Sequence, residues 1–285
     1  MEELSIFEKL SLGTIRIECK LKDGRFSTGT GFFVKFVDDG DSFVPAIVTN
    51  KHVIEDADVG ALLFTLSDKD GNPAHDQHHR FEISKFQQPW LDHPDPEVDL
   101  CAMPINVLIN EMEKTGIKPC ITFINLSLIP SEEDISDMAG LERVVMVGYP
   151  NGLWDAVHNQ PVFRSGILAS HYKFDWNGES DFVIDVACFP GSSGSPVLLV
   201  DIGQVFTKKG LNVGSSRIKF IGVLYAGPVL SADGSINIIP APTLDTIQTQ
   251  TEIPINLGYA IKSEKLLDFE PIFEMEIKKG NINTA

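Results

Sequence analysis

The chain has 285 residues, 43% hydrophobic and 22% charged, the make-up of a globular protein long enough to bury a sizeable core. Its 40 acidic residues outnumber 23 basic ones, and a formal net charge of −17 repels phosphate backbones, so nucleic acid is not an expected partner. Nothing approaches the roughly 18 consecutive apolar residues that span a membrane, so no membrane partner is expected either.

In chain order, the first ten residues are acidic where an export signal would carry positive charge ahead of an apolar stretch. This points to the cytoplasm. There Cys19, Cys101, Cys120 and Cys188 are expected to stay unpaired, and they form no C-x-x-C motif. Short apolar, β-branched runs bounded by Gly, Asp, Asn and Pro then predict strands at Gly13–Cys19, Thr30–Phe36, Phe43–Thr49, Ala61–Leu66 and Asp99–Ile105. A second set follows at Arg143–Gly148, Val162–Ala169, Phe182–Ala187, Pro196–Val200, Ile218–Tyr225 and Leu257–Ile261. Helical spacing is confined to Asn106–Lys114 and Ser263–Phe269. So many short strands argue for an all-β barrel or sandwich.

The stretch 106–140 holds Pro119, Pro130 and an acidic run, and reads as a connection between the two strand sets. The segments 201–217 and 228–256 are long for hairpin loops. The second, with Ile236-Asn237-Ile238-Ile239 at its middle, is expected to influence specificity or activation. The cluster His75-Asp76-Gln77-His78-His79, with His93 further on, has spacing that could hold a metal but no strong ligand partner. It reads as a solvated loop, with no metal and no cofactor expected.

The residues that carry chemistry begin with Phe189-Pro190-Gly191-Ser192-Ser193-Gly194-Ser195-Pro196-Val197. Two glycines bracket a serine pair in a tight turn before an apolar strand. Such a turn exposes the Ser193 hydroxyl and lets backbone N–H groups converge, the two requirements of a serine hydrolase. Upstream, the strand Phe43–Thr49 delivers His52 to its end, after the glycine-rich Thr28-Gly29-Thr30-Gly31-Phe32-Phe33. Asp99 opens the apolar run Val98–Ile105, where a carboxylate is costly to bury unless something pairs with it. An α/β-hydrolase is excluded by order: it needs a histidine after the nucleophile, and none of the seven histidines follows Ser193. Its G-x-S-x-G elbow also fails, because Ser195 stands at the second glycine.

The order His52, Asp99, Ser193, in register with Val147-Gly148-Tyr149-Pro150, Arg164-Ser165-Gly166-Ile167-Leu168, Ile184-Asp185-Val186-Ala187, Phe220-Ile221-Gly222-Val223 and Leu257-Gly258-Tyr259-Ala260-Ile261, resembles the trypsin-like serine proteases, most closely their bacterial HtrA-type branch. The resemblance implies two six-stranded antiparallel β-barrels of the chymotrypsin type with a short C-terminal helix. The first barrel would span 11–108, a connection 109–139, the second barrel 140–270 and a tail 271–285, with no PDZ domain. It also implies a serine endopeptidase acting through an acyl-enzyme. Ser193 would be the nucleophile, His52 the base, Asp99 the orienting acid, and the N–H groups of Gly191 and Ser193 the oxyanion hole. The substrate pocket would be formed by Ala187, Val223, Leu224 and Tyr225. Ala187 stands where trypsin carries a pocket Asp, which implies an apolar pocket for small or medium aliphatic side chains. Ser192 stands where digestive members carry the Asp that pairs with a freed N-terminus, so activation by N-terminal cleavage is not expected. Partners would be a protein or peptide substrate and, for a protease kept in check, a regulatory protein. The alternative of another class is a catalytically silent or latent protease fold used as a binding module.

Overall fold

The computed structural model describes residues 3–236 and 247–285. The chain opens with α1 (Ile6–Leu12), started by a reciprocal cap in which the Glu8 N–H donates to the Ser5 hydroxyl and the Ser5 N–H to the Glu8 carboxylate. Seven strands then form one antiparallel sheet: β1 (Thr14–Leu21), β2 (Phe26–Phe36), β3 (Val44–Thr49), β4 (Ala57–Ser67), β5 (Pro73–Ser84), the short β6 (Leu91–Asp92) and β7 (Cys101–Pro104). Their order is β5-β4-β1-β2-β3-β7-β6. The six residues 85–90 carry the chain from β5, at one edge, to β6, at the other. Across a flat sheet those edges would lie roughly 29 Å apart at about 4.8 Å per strand, beyond the ~25 Å that so short a connection can reach. The sheet therefore curls on itself, and Phe86 and Trp90 of that connection plug the core inside it.

After α2 (Lys51–Ile54), inserted between β3 and β4, and α3 (Asn106–Lys114) come the connecting segment and α4 (Glu132–Asp137). The second half is a closed six-stranded barrel of β8 (Arg143–Gly148), β9 (Val162–Leu168), β10 (Asp181–Asp185), β11 (Pro196–Asp201), β14 (Arg217–Ala226) and β17 (Leu257–Lys262), ordered β10-β17-β14-β11-β8-β9. Two hairpins leave it: β12 (Gln204–Thr207) with β13 (Gly210–Val213), and β15 (Val229–Ile236) with β16 (Ile247–Pro254). The architecture is mostly β, of the chymotrypsin type, with a closed barrel and a curled second sheet.

Period-two alternation decides what each strand buries. On β2, Phe33 enters the core of the first sheet, while Phe32, Val34 and Phe36 face a core between the halves. That shared core also takes Val145, Val147, Leu198, Val200, Phe220 and Ile261 from the barrel. The barrel interior is a third cluster around Met146, Phe182, Leu199 and Ile221. The halves are thus joined by apolar packing on the scale of an interior, which holds a site between them rigid.

Three expectations change. The histidine cluster lies on β5 rather than in a loop, and among the described residues no group of three or more His, Cys, Asp or Glu is placed to hold a metal. The long segments 201–217 and 228–256 are hairpins, residues 237–246 lying outside the described part, including most of the Ile236–Ile239 run. The expected tail from 271 is mostly α5 (Glu270–Lys278), which follows a 3-10 turn at Ser263–Phe269. Phe269 and Phe273 are buried against Phe36, the Phe273 ring stacked on it at 4.7 Å between centroids. Among the described residues no helix is long and apolar enough to cross a membrane.

Candidate active site

Every residue of β3 is buried, so the strand is fixed by packing up to Thr49, and Val53 and Ile54 anchor the single turn of α2 in the first core. His52 is left on the outer side, its side chain 43% exposed. Its Nδ1 lies 2.5 Å from Asp99 Oδ2, and its backbone N–H donates to Asp99 Oδ1 at 3.2 Å. Asp99 sits just before β7 and is tied to the same turn by Asn50, whose Nδ2 donates to the Asp99 carbonyl at 2.7 Å. A carboxylate on Nδ1 fixes the tautomer with the proton there, leaving Nε2 a lone pair directed outward.

Ser193 lies in a turn whose flanking glycines are both left-handed, Gly191 at φ +82° and Gly194 at φ +84°. At Gly194 a Cβ would come within 1.9 Å of the Thr30 carbonyl oxygen, and at Gly191 within 2.6 Å of the Tyr149 carbonyl oxygen. The turn is therefore closed tightly against β2 and the Tyr149–Gly152 bend, and only glycine serves at either place. The Thr30 N–H donates to the Ser193 carbonyl at 2.9 Å and the Thr30 hydroxyl to the Gly191 carbonyl at 2.9 Å, while the Tyr149 N–H donates to that hydroxyl at 3.1 Å. The Asn151 N–H donates to the Pro190 carbonyl at 2.5 Å, which ties the start of the turn to the same bend. Among the described residues neither the Gly191 nor the Ser193 N–H has an acceptor within the protein.

The two sides meet through Thr49 and Tyr225. The Thr49 hydroxyl donates to the Thr30 carbonyl at 2.7 Å, at the point where Gly194 packs. The Ser193 hydroxyl donates to the Tyr225 carbonyl at 3.4 Å, and among the described residues it makes no hydrogen bond to His52. Tyr225 shares a cavity of about 230 Å³ with Asp99 and Asp181, and its own hydroxyl donates to Asp181 at 2.6 Å. Burial pushes the Asp181 carboxyl above its ordinary value and the Tyr225 phenol likewise upward. A larger cavity, about 950 Å³, lies between the end of β2, the connecting segment and α5, and none of His52, Asp99 or Ser193 lines it. The chemistry follows the side-chain geometry and not the larger hollow.

Of the expected pocket residues, Ala187 is half-buried beside Cys188, and Tyr225 is placed as described. The Val223 and Leu224 side chains are instead buried, Val223 in the core between the halves and Leu224 in the barrel interior. The sequence does not single out Thr30, Tyr149 and Asn151, which hold the serine turn, although Thr30 lies in the glycine-rich Thr28–Phe33 run and Tyr149 in the Val147–Pro150 motif.

The class of protein this arrangement defines is a two-halved β fold with a His–Asp pair on one half facing a glycine-bracketed serine on the other. A family model described as trypsin-like peptidase domain matches residues 29–206, more than half of the chain, and the chain belongs to that family. Similar solved structures include the HtrA-type protease AlgW with tripeptide, at 16% identity over 96% of this chain and 63% of that one, with a TM-score of 0.45. The serine endoprotease from Yersinia pestis matches at 15% identity, over 98% and 69%, with a TM-score of 0.46. A catalytically inactive tobacco etch virus protease complexed with substrate matches at 11% identity, over 99% and 90%, with a TM-score of 0.48. This chain thus spans about 63% of the length of AlgW. No curated protein matches it.

Proposed function

We propose that the chain is a serine endopeptidase with Ser193 as nucleophile, His52 as general base and Asp99 as orienting acid. The observation that carries this is the Asp99–His52 contact at 2.5 Å, together with a serine turn whose Gly191 and Ser193 N–H groups have no acceptor among the described residues. On a peptide substrate the Ser193 oxygen bonds to the scissile carbonyl carbon as its proton passes to His52 Nε2. The carbonyl oxygen takes the negative charge and accepts from the two free N–H groups. The C–N bond then breaks, His52 returns the proton to the leaving amine, and water, activated by the same imidazole, releases the acyl-enzyme. Asp99 holds the tautomer and stabilises the imidazolium. At rest the Ser193 hydroxyl is bonded to the Tyr225 carbonyl, and on this reading it must leave that bond to pass its proton to His52.

That same bond favours a second reading, a latent or silent fold in which the hydroxyl stays turned from His52. The partners we propose are a peptide or protein substrate and a regulatory protein. A net charge of −17 supports these over nucleic acid, and four unpaired thiols suit a reducing compartment such as the cytoplasm. Labelling with a broad fluorophosphonate, followed by mass mapping, tests the assignment. Modification of Ser193 that is lost in Ser193→Ala is the expected result. A folded wild-type protein that takes no label supports the silent module, and label mapped to Ser192 or Ser195 overturns the choice of nucleophile.

A further inference from the structure

The cavity of about 230 Å³ beside the site is shared by the two halves: Glu97, Val98 and Asp99 line it from the first, Glu179, Asp181 and Tyr225 from the second. Four of these six are carboxylates, and no lysine, arginine or histidine lines it. Two of the four are engaged, Asp99 with His52 at 2.5 Å and Asp181 with the Tyr225 hydroxyl at 2.6 Å. Glu97 and Glu179 are exposed, and neither carboxylate has an ion-pair or hydrogen-bond partner among the described residues. Lys262, the cation that bears on Asp181, is itself bonded to Asp175 at 2.5 Å. Burial works against the Asp181 charge, so this half-buried carboxylate is a standing cost with no cation in contact to offset it among the described ion pairs.

The place of the cavity gives that charge a use. Tyr225 takes the Ser193 hydroxyl on its backbone carbonyl at 3.4 Å, and Asp99 holds His52, so a peptide laid across Ser193 passes beside the cavity. The exposed Glu97 and Glu179 leave it open to solvent. Its volume falls below the ~300–1,000 Å³ of pockets for drug-sized ligands and suits a single side chain. Among the described residues no three of His, Cys, Asp or Glu are close enough together to hold a metal ion, so the carboxylates are spread around a larger guest. The loop that carries Glu179 adds a second observation. Phe174 and Trp176 on it are 64% and 39% exposed, and the Trp176 N–H donates to the Asp181 carbonyl at 3.2 Å. Aromatic rings left open beside an acidic cavity suit the approach of a cation.

We propose that this cavity is a subsite for a basic side chain, lysine or arginine, of a substrate residue near the cleaved bond, with Glu179 and Asp181 as the specificity-determining residues. This rests on the serine endopeptidase reading and concerns a place separate from the pocket expected around Ala187. The aliphatic stem of the guest packs along Val98 and Ile261, which also line the cavity, while its charged end reaches the carboxylates.

Peptides from a digested proteome, incubated with the protein and sequenced by mass spectrometry, show which residues flank each cut. Wild type is compared with Glu179→Gln, with Glu179→Gln combined with Asp181→Asn, and with Asp41→Asn, an exposed carboxylate that does not line the cavity. Wild type and Asp41→Asn should enrich lysine or arginine at one fixed position close to the cut, and the cavity variants should lose that enrichment. In a fluorogenic peptide built on the preferred sequence, acetyl-lysine in place of that lysine keeps the stem and removes the charge. It should lower wild-type kcat/KM on the order of tenfold, between the scale of a rim ion pair and that of a buried one, and should change little in the double variant. Three results overturn the proposal: no fixed basic position, basic residues enriched equally at every position as the overall charge of −17 would attract them, or an enrichment that survives in the double variant. The wild-type comparison of lysine with acetyl-lysine decides even where the double variant does not fold. If wild type takes no fluorophosphonate label, the endopeptidase reading fails first, and NMR titration with n-hexylammonium and n-hexanol then tests the cavity alone. Saturable shifts of the Ser180 and Asp181 amides with the ammonium and not the alcohol support it, and shifts with both alike or with neither overturn it.

Discussion

Replacing Thr30 by valine keeps the shape of the side chain and removes one oxygen. That oxygen accepts from the Tyr149 N–H and donates to the Gly191 carbonyl, at 3.1 and 2.9 Å, and Thr30 is fully buried, so water cannot take its place. Each stranded buried group costs about 1–3 kcal/mol, so Thr30→Val should lose about 2–6 kcal/mol of unfolding free energy. That is a large part of the 5–15 kcal/mol typical of a folded domain. Urea unfolding reads it as a lower midpoint at unchanged slope. Thr30→Ser, which keeps the hydroxyl and loses a methyl group, should recover most of the loss. Because the Gly191 carbonyl also sets the tilt of the serine turn, the rate of fluorophosphonate labelling at Ser193 should fall in Thr30→Val and return in Thr30→Ser. A Thr30→Val protein within about 0.5 kcal/mol of wild type, the range of ordinary surface changes, and labelled at the same rate, would refute this account of how the turn is held.

Two further outcomes follow from charges packed into the barrel. Arg217 donates to Glu142 at 2.5 Å and to Asp201 at 2.6 Å, and these carboxylates are 3% and 12% exposed; Arg217→Gln should cost about 3–5 kcal/mol in urea unfolding, and adding Glu142→Gln should return part of it, because the uncompensated charge goes too. A double variant no better than the single one would assign the loss to packing. Asp181 is raised above its ordinary 3.8 by burial, with the bond from Tyr225 opposing. The folded state therefore holds that proton more tightly than the unfolded chain, a contribution that is favourable below the ordinary value and lost as pH rises through the folded one. Asp181→Asn, which still accepts from Tyr225, should then be more stable than wild type at neutral pH, with the gap closing as pH falls through the folded value toward 3.8. A gap that widens in acid would contradict the sign.

Strands with an apolar rhythm were legible from the residues alone: β8 and α3 begin and end where the pattern puts them. The strand β5 was hidden because His75-Asp76-Gln77-His78-His79-Arg80 has no apolar alternation, and pairing with β4 decides its shape. The hairpin β12–β13 was hidden because β13 is exposed throughout and buries no pattern. By contrast, α5 carried a readable signal, Pro271 in its first turn, and reading the stretch as a tail passed over it. At the site, His52, Asp99 and Ser193 could be singled out because each stands at a strand end in a turn of unusual composition. Thr30 could not, since its role exists only through a partner 161 positions away.

The bond between Thr30 and Gly191 also bears on when the chain first becomes able to cut. Contacts so far apart in sequence form late, after the local pairings of each half. During synthesis the first half emerges first and can set His52 against Asp99, only 47 positions apart, with no serine yet in reach. The serine turn, in its own half, has nothing to close against until β2 is presented to it. On the proposed reading, the unfinished chain is harmless to itself and to its neighbours, and proteolytic competence arrives with the docking of the two halves.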